Sequence, residues 1–141
     1  MNKGLGPRAE SRPDVTTEIT GGIHSFRDLR AWQLGYRIAL AVTKVCRGFP
    51  SEERFALSLQ VRRSAVSVPS NIAEGFGRGT RNDYIRFLYI ARGSLYELDT
   101  QLSLATDLAY LSSIDGQPLH QDIDECERVL WGLIRALERG R

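Results

Sequence analysis

The chain has 141 residues, of which 42% are hydrophobic and 26% are charged, and its formal net charge at pH 7 is +2. This length fits one domain with a buried core and argues against a multidomain enzyme. No segment has the roughly 18 uninterrupted apolar residues of a membrane-spanning helix, and the N-terminal stretch MNKGLGPRAESRPDVTTEITGG lacks the apolar run of a secretion signal. We therefore expect a soluble cytoplasmic protein with a flexible leader over residues 1–24 and one folded domain over residues 25–139.

The first periodic segment predicts a helix that begins near Ser25 or Asp28 and ends at Gly48. Its apolar residues cover roughly 220° of the helix circumference, whereas one face of a simple bundle needs roughly 100° or somewhat more. The surplus suggests burial against a second body, for which we expect another subunit. The remaining strip is basic and contains no acid; it comprises Arg30, Gln33, Arg37, Lys44 and Arg47.

The second predicted helix opens at Pro50 with Ser51 as its N-cap and two carboxylates near the positive end of the helix dipole. Pro69 lies inside it, and because proline lacks an N–H and disfavours helical geometry in the preceding residue, we expect a kink near Val68. One strip of this helix is polar and predicts a hydrogen-bonded seam. The strip comprises Gln60, Arg63, Ser64, Ser67, Asn71 and Glu74.

The glycine-rich run GFGRG, residues 75–79, allows two interpretations: a helix-ending turn, or an anion contact through backbone N–H groups. It carries neither the P-loop Lys-Ser/Thr nor the dinucleotide fingerprint. Thr80 and Asp83 then resemble a capping box that starts a third helix, predicted to run to about Leu111. The turn SSIDGQP leads to a fourth helix, predicted from Leu119 to just before Gly140.

No segment alternates in the manner of a β-strand. Short connections between long amphipathic helices indicate an all-α fold, an antiparallel up-down four-helix bundle. The charge is divided along this fold. Residues 27–92 contain twelve Arg or Lys and five Asp or Glu, a net of +7, whereas residues 93–138 contain two and nine, a net of −7. Such a division fits either a basic face for a polyanion or complementary surfaces between subunits.

The residue pattern does not support catalysis. Glu74, Glu97 and Arg63 are candidate acid–base groups, but no nucleophile lies near them, and His24 and His120 are poorly placed for a triad. We expect these polar groups to serve in capping, ion pairing or an interface, and we expect no enzyme activity.

Metal and cofactor sites are also not indicated. The carboxylates lack the paired Glu and Glu-x-x-His pattern of di-iron bundles. Cys46 and Cys126 lie in apolar periodic segments without a CxxC or Cys/His companion, which is typical of small buried hydrophobic residues. We expect no cofactor, no metal and no disulfide.

The basic residues are the stronger functional indication, because ordinary solvated faces usually mix both signs of charge. Two interpretations remain open: phosphate contacts with a polyanion, and contacts with the acidic half of a neighbouring subunit. The candidate phosphate-contacting residues are Arg30, Arg37, Lys44, Arg47, Arg62, Arg63, Arg78 and Arg81. The candidate seam or subunit-interface residues are Gln60, Ser67, Asn71, Glu74 and Glu97.

Three stretches closely resemble a known family: FRDLRAWQLGYRIALAVTKV, SLQVRRSAVSVPSNIAEGFGR and YIRFLYIARGSLYELDTQL. The family comprises small four-helix bundles encoded in intervening sequences of bacterial 23S ribosomal RNA genes, sometimes labelled S23 ribosomal proteins, and the resemblance covers about residues 26–137. Its most specific parts are Gln60-x-x-Arg63, the run from Ser67 to Gly75, and Ala91-Arg92-Gly93-Ser94 with Glu97.

The resemblance implies an up-down four-helix bundle that assembles as a ring-like homopentamer. A related branch is the accessory protein of diversity-generating retroelements, which binds nucleic acid and a reverse transcriptase. We therefore expect an oligomeric accessory protein that binds RNA or DNA, or alternatively a protein-interaction scaffold that docks a partner such as a reverse transcriptase.

Overall fold

The computed structural model describes residues 22–140, so residues 1–21 of the predicted leader lie outside it. Within the described range all regular structure is helical. The four α-helices are α1 (Arg30–Cys46), α2 (Leu57–Gly77), α3 (Arg81–Asp107) and α4 (Ser113–Arg139). Two short 3₁₀-helices, Phe26–Asp28 and Ser51–Glu53, precede α1 and α2. The predicted all-α fold with four helices is confirmed.

The beginning of α1 differs in detail from the prediction. Ser25 caps the first 3₁₀-helix: its hydroxyl accepts a hydrogen bond from the backbone N–H of Arg27 at 3.1 Å, and the Asp28 carboxylate accepts one from the Ser25 N–H at 3.1 Å. Leu29 is extended, with φ −73° and ψ 126°, so the α-helix itself starts at Arg30. The two predicted capping residues therefore fold a separate turn before α1.

The predicted N-cap of the second helix was wrong. Ser51 starts a 3₁₀-helix, and α2 begins six residues later at Leu57. The N-cap residue of α2, Ala56, makes no side-chain cap; instead the Glu53 carboxylate accepts a hydrogen bond from the Leu57 N–H at 3.2 Å. A carboxylate thus satisfies the first donor of α2, but from outside the helix.

The second helix continues through Pro69 and ends at Gly77. The backbone N–H of Arg78 bonds to the carbonyl of Gly75 at 3.1 Å, and the glycine run forms a helix-ending turn. Thr80 then caps α3, because its hydroxyl accepts a hydrogen bond from the Asp83 N–H at 3.2 Å. Thr80 is therefore the N-cap as predicted, and of the predicted capping box the bond to the Thr80 hydroxyl is present.

The turn between α3 and α4 is shorter than predicted. Ala109 adopts a left-handed conformation with φ 65°, and the Tyr110 N–H bonds back to the Ala105 carbonyl at 2.8 Å, which closes α3. Ser112 caps α4 by accepting a hydrogen bond from the Asp115 N–H at 3.1 Å. The residues predicted as a turn therefore form the first turns of α4, including Pro118.

The helices pack in a ring in which α1 contacts α2, α2 contacts α3, α3 contacts α4, and α4 contacts α1. The side chains that face the centre are fully buried, for example Ile38, Ile72, Leu98 and Leu130. Side-chain contacts between α3 and α4 run from Tyr89–Glu138 through Arg92–Glu127 to Asp99–His120. Among residues 22–140, no helix is long and apolar enough to cross a membrane.

Candidate nucleic-acid interface

Six of the eight predicted phosphate-contacting side chains have no acidic partner within the described residues: Arg81, which is described separately below, and five residues on α1, at its end and on α2. No carboxylate of residues 22–140 lies within 4.0 Å of their charged nitrogens. We call these five residues the basic surface; they are Arg37, Lys44, Arg47, Arg62 and Arg63, and they lie on α1, at its end, and on α2. All are exposed except Arg62, which is partly buried. The basic surface is therefore positive charge that the described residues leave unneutralised.

Two predicted contact residues are engaged within the chain. Arg30 forms an ion pair with Glu125 of α4, with 2.7 Å between Nη2 and Oε2. Arg78 lies between two carboxylates, 3.6 Å from that of Glu74 and 3.5 Å from that of Asp83. These acids lower the positive potential at both guanidinium groups, so the two residues are weaker candidates than the basic surface.

Arg81 differs from the other seven candidates because it is partly buried at the start of α3. Its Nη1 atom is buried and makes no hydrogen bond to the residues that the structure describes. With one of its donors buried, the Arg81 guanidinium is less open to a polyanion than those of the exposed arginines. The structure therefore separates Arg81 from the basic surface.

One further cation, Arg54, belongs beside the basic surface and is not among the candidates that the sequence pattern selects. It follows the 3₁₀-helix Ser51–Glu53, is exposed, and places its guanidinium 5.0 Å from the ring centroid of Phe55. The sequence pattern places this segment inside the predicted second helix, where Arg54 is not part of the polar strip. Pro50 is the sequence feature that could have indicated Arg54, because the turn at Pro50 brings Arg47 and Arg54 to one end of the bundle.

Arg62 is held in place by its own surroundings. Its Nη2 donates a hydrogen bond to the carbonyl oxygen of Arg54 at 3.3 Å, which ties α2 to the preceding segment. Its charge also acts on the nearby thiol of Cys46: burial raises the pKa of that thiol, and the Arg62 guanidinium partly offsets the increase. Arg62 is thus the most constrained cation of the basic surface.

The predicted polar seam is present in its central part. The hydroxyl groups of Ser67 and Ser94 lie 2.8 Å apart across α2 and α3, and the Asn71 side-chain amide donates to the carbonyl and hydroxyl oxygens of Ser67 at 2.8 and 2.9 Å. Ser94, which the sequence did not assign to the seam, completes it. Glu74 instead forms an ion pair with Arg78, and Gln60 and Glu97 are exposed.

Several large apolar side chains on α1 and α2 remain open to solvent. Tyr36 is 49% exposed, Leu40 is 48% exposed and Val66 is 50% exposed. Trp32 is partly buried and stacks on Tyr36, with ring centroids 4.9 Å apart. The excess apolar arc predicted for the first helix is therefore not fully covered within one chain.

Several titratable groups outside the basic surface have structural contacts. His120 Nδ1 contacts Asp99 Oδ1 between α4 and α3. Arg92 donates to the Glu127 carboxylate at 2.8 Å and lies 4.2 Å from the Trp131 ring centroid. Among residues 22–140, no group of three His, Cys, Asp or Glu side chains is placed to hold a metal ion.

The ring of four helices around an apolar interior defines the protein as a four-helix bundle. The family model of the 23S rRNA-intervening sequence protein matches residues 27–132, so the chain belongs to this family. The predicted family is confirmed, whereas the link to the accessory protein of diversity-generating retroelements stays a prediction.

A solved structure supports the same fold. The chain is similar to a protein with unknown function from the S23 ribosomal protein family of Bacteroides thetaiotaomicron VPI-5482, with 24% sequence identity and a TM-score of 0.70. The match covers 74% of this chain and 95% of that chain. No curated protein matches the chain at a significant level.

Proposed function

We propose that this protein is a non-enzymatic, oligomeric accessory protein that binds RNA or DNA through the basic surface. The observation that carries the proposal is that the five cations of this surface have no carboxylate partner among residues 22–140, whereas Arg30, Arg78 and Arg92 do. Arg37 and Lys44 lie two turns apart on α1, about 10.5 Å along the helix axis. Contacts of this type go to phosphates, so binding would tolerate many sequences.

The test is a titration of labelled RNA and DNA oligonucleotides, single-stranded and duplex, across a salt series. On duplex, five phosphate contacts predict a slope of about −4 to −5 in log K against log salt. The double variant Arg37→Glu with Lys44→Glu removes two contacts and is expected to weaken binding and reduce the slope by about 2.

A matched control carries the same change of charge on α4. The double variant Arg128→Glu with Arg139→Glu alters two exposed cations of α4 and is expected to bind nearly as tightly as the unmodified protein. If neither RNA nor DNA binds at low salt, or if both double variants lose affinity equally, the proposed nucleic-acid interface is wrong.

We further propose that the bundle is antiparallel and assembles as a ring-like homopentamer. The order of the α3–α4 contacts supports the antiparallel arrangement, because the partner residue number falls from 138 to 120 as the α3 number rises from 89 to 99. The exposed Tyr36, Leu40 and Val66 support an interface between copies, since monomers rarely leave clustered large apolar side chains open.

The same exposed apolar side chains favour a second candidate function, a protein-interaction scaffold. In it the basic and acidic halves pair between subunits, and a partner enzyme docks on the assembly; a reverse transcriptase is the partner that the family resemblance implies. If the protein is such a scaffold, Arg37→Glu is expected to disturb the assembly, seen as a change of its mass in light scattering, more readily than it disturbs nucleic-acid affinity. Reduced affinity with an unchanged mass would favour direct nucleic-acid binding instead.

A further inference from the structure

A pocket of about 400 Å³ lies where the end of α1, the connecting segment and the first turns of α2 meet. We call it the arginine pocket. It is lined by Thr43, Cys46, Arg47, Phe49, Pro50, Ser51, Arg54, Ser58 and Arg62. Its size falls at the lower end of the range of small-molecule sites, about 300 to 1,000 Å³. It has room for a small charged group together with an attached organic body.

All charged side chains that line the arginine pocket are positive. Three of its residues are arginines, and none is aspartate or glutamate. The nearby acid Glu53 is occupied elsewhere: its Oε1 accepts from the Leu57 N–H at 3.2 Å, and its Oε2 accepts from the Tyr110 hydroxyl at 2.8 Å. Like charges converge here without an internal counter-ion, so an anion in the pocket would lower the electrostatic energy.

A second, independent feature is the hydroxyl group of Ser58. Ser58 is only 5% exposed, it lines the pocket, and its side chain makes no hydrogen bond to another residue in the range 22–140. The proton of the Ser58 hydroxyl is therefore available to a ligand in the pocket. An anionic oxygen in the pocket would accept the proton of this hydroxyl.

The pocket is also preorganised on one side. The bond from Arg62 to the Arg54 carbonyl uses one of the five N–H groups of the Arg62 guanidinium and fixes its orientation. Arg47 and Arg54 are exposed, with no carboxylate of the described residues within ion-pair distance. Guanidinium forks of this kind match the paired oxygens of a phosphate group.

We propose that the arginine pocket binds a phosphomonoester, that is, a terminal phosphate on a small organic body or on a nucleic-acid end. A terminal phosphate carries about −1.5 to −2 charges near pH 7, which suits three guanidinium groups better than the single charge of a phosphodiester. The nucleic-acid end as a source rests on the proposed function, whereas the free phosphomonoester does not.

The first experiment measures binding of inorganic phosphate, adenosine monophosphate and unphosphorylated adenosine by calorimetry at low salt. The monophosphate is expected to bind and adenosine is not. Arg54→Ala and Ser58→Ala are each expected to weaken monophosphate binding, Arg54→Ala by at least about tenfold. Arg128→Ala changes an exposed cation of α4 that neither lines the pocket nor belongs to the basic surface; it is the matched control and is expected to bind as the unmodified protein does.

Arg54→Ala removes an exposed side chain, so it is expected to fold, and a thermal unfolding curve checks this. Absence of monophosphate binding at millimolar concentration, or equal binding by folded Arg54→Ala, would overturn the proposal. Loss of binding in Arg128→Ala as well would show that monophosphate binding depends on the general surface charge and not on the pocket, and it would also overturn the proposal.

The second experiment distinguishes the sources by comparing oligonucleotides with a 5′-phosphate and a 5′-hydroxyl. A preference for the phosphorylated end that Arg54→Ala abolishes identifies the nucleic-acid end, and monophosphate binding without such a preference identifies a free small molecule. If the 5′-hydroxyl oligonucleotide binds in a salt-sensitive way but the monophosphate does not bind, phosphomonoester binding in the arginine pocket is contradicted and the proposed function is not. Monophosphate binding without any oligonucleotide binding contradicts the proposed function alone.

Discussion

Gly75 shows how a single missing Cβ sets the distance between two helices. A Cβ built on Gly75 of α2 would lie 2.8 Å from the Phe87 Cβ and 3.2 Å from the Tyr84 carbonyl oxygen, both on α3. Neither atom can move by a side-chain rotation, so the two helices would have to separate. Gly75, the first residue of the run for which the sequence allowed an anion contact, is thus required for the close packing of α2 and α3.

The first prediction compares two glycines of α2. Gly75→Ala is expected to lower the free energy of unfolding by about 1–3 kcal/mol, because overpacking shifts the backbone. A Cβ added to Gly77 would meet no atom of the described residues within 4 Å, so Gly77→Ala is expected to leave stability unchanged or slightly increased. Urea unfolding of both variants measures the difference, and equal effects would contradict the close approach.

The second prediction concerns the two thiols. Burial, with smaller contributions from neighbouring carboxylates, raises the pKa of Cys126 to about 12, and burial also raises the pKa of Cys46. Because the thiolate is the reactive form, both residues are expected to react slowly with a disulfide reagent at pH 8 in the folded protein. Cys46 lines the arginine pocket and is expected to react first.

The control for the thiols is the same reaction in urea, where both are expected to react at the rate of free cysteine. Mass spectrometry of the labelled peptides measures how fast each cysteine reacts. Rapid labelling of Cys126 in the folded protein would contradict its burial in the core. The order of labelling also checks the pocket, since only Cys46 has a lining position there.

At the scale of the elements, helical periodicity predicted all four helices, but the capping signals were ambiguous about where each begins. Ser51, followed by two acids, had the pattern of an N-cap yet starts a 3₁₀-helix. Ser112 lay in a segment with glycine and proline that predicted a turn, yet it caps α4. The residues compatible with a cap are also compatible with a turn, and tertiary packing decides between them.

The third prediction tests the seam between α2 and α3. Ser67→Ala and Ser94→Ala are each expected to destabilise the protein by about 1 kcal/mol, because each breaks the hydrogen bond between the two hydroxyls. Ser67→Ala also removes an acceptor of the Asn71 amide, whereas Ser94→Ala leaves that bond in place. The double variant is expected to cost less than the sum. Ser70→Ala is the matched control on an exposed position of α2 and is expected to have little effect. Additive effects in the double variant would show that the two hydroxyls do not interact.

The fourth prediction concerns the bond between Tyr110, which follows α3, and Glu53, which precedes α2. The hydrogen bond to Glu53 raises the pKa of Tyr110 above its ordinary value, so the folded state favours the protonated phenol. The resulting stability is fully present below the ordinary tyrosine pKa of about 10 and is lost as pH rises through the raised value.

Unfolding measured between pH 8 and 11 checks this effect. Tyr110→Phe is expected to be less stable at pH 8 and to lose less stability on going to alkaline pH than the unmodified protein. Tyr36→Phe, at an exposed position of α1, is the control for the general effect of alkali. A pH profile of Tyr110→Phe that parallels the unmodified protein would contradict a role for this bond.

At the scale of the molecule, the sequence showed a basic half and an acidic half but not which charges meet. Arg30 and Glu125 are 95 residues apart and form an ion pair only because α1 packs against α4. Arg47, Arg54 and Arg62 line one pocket because the Pro50 turn folds back on α2. Helical periodicity shows which residues share a face of one helix, but not which helices pack against each other. The packed structure was therefore needed to tell the cations that pair with a carboxylate from those that do not.

The last prediction concerns assembly and tests the exposed apolar side chains of α1 and α2 as the contact between copies. Other large apolar side chains of the described residues are also exposed, among them Phe55 at 77% and Ile114 at 84%. Leu40→Glu and Val66→Glu each place a charge where a contact between copies would exclude water, and each is expected to shift the protein toward a particle of the chain mass, 15.8 kDa. The unmodified protein is expected at five times this mass in light scattering. Ile114→Glu, which changes an 84% exposed residue of α4, is the matched control and is expected to keep the assembly. An assembly that survives both Leu40→Glu and Val66→Glu but dissociates with Ile114→Glu would place the interface on α4 and separate it from the basic surface.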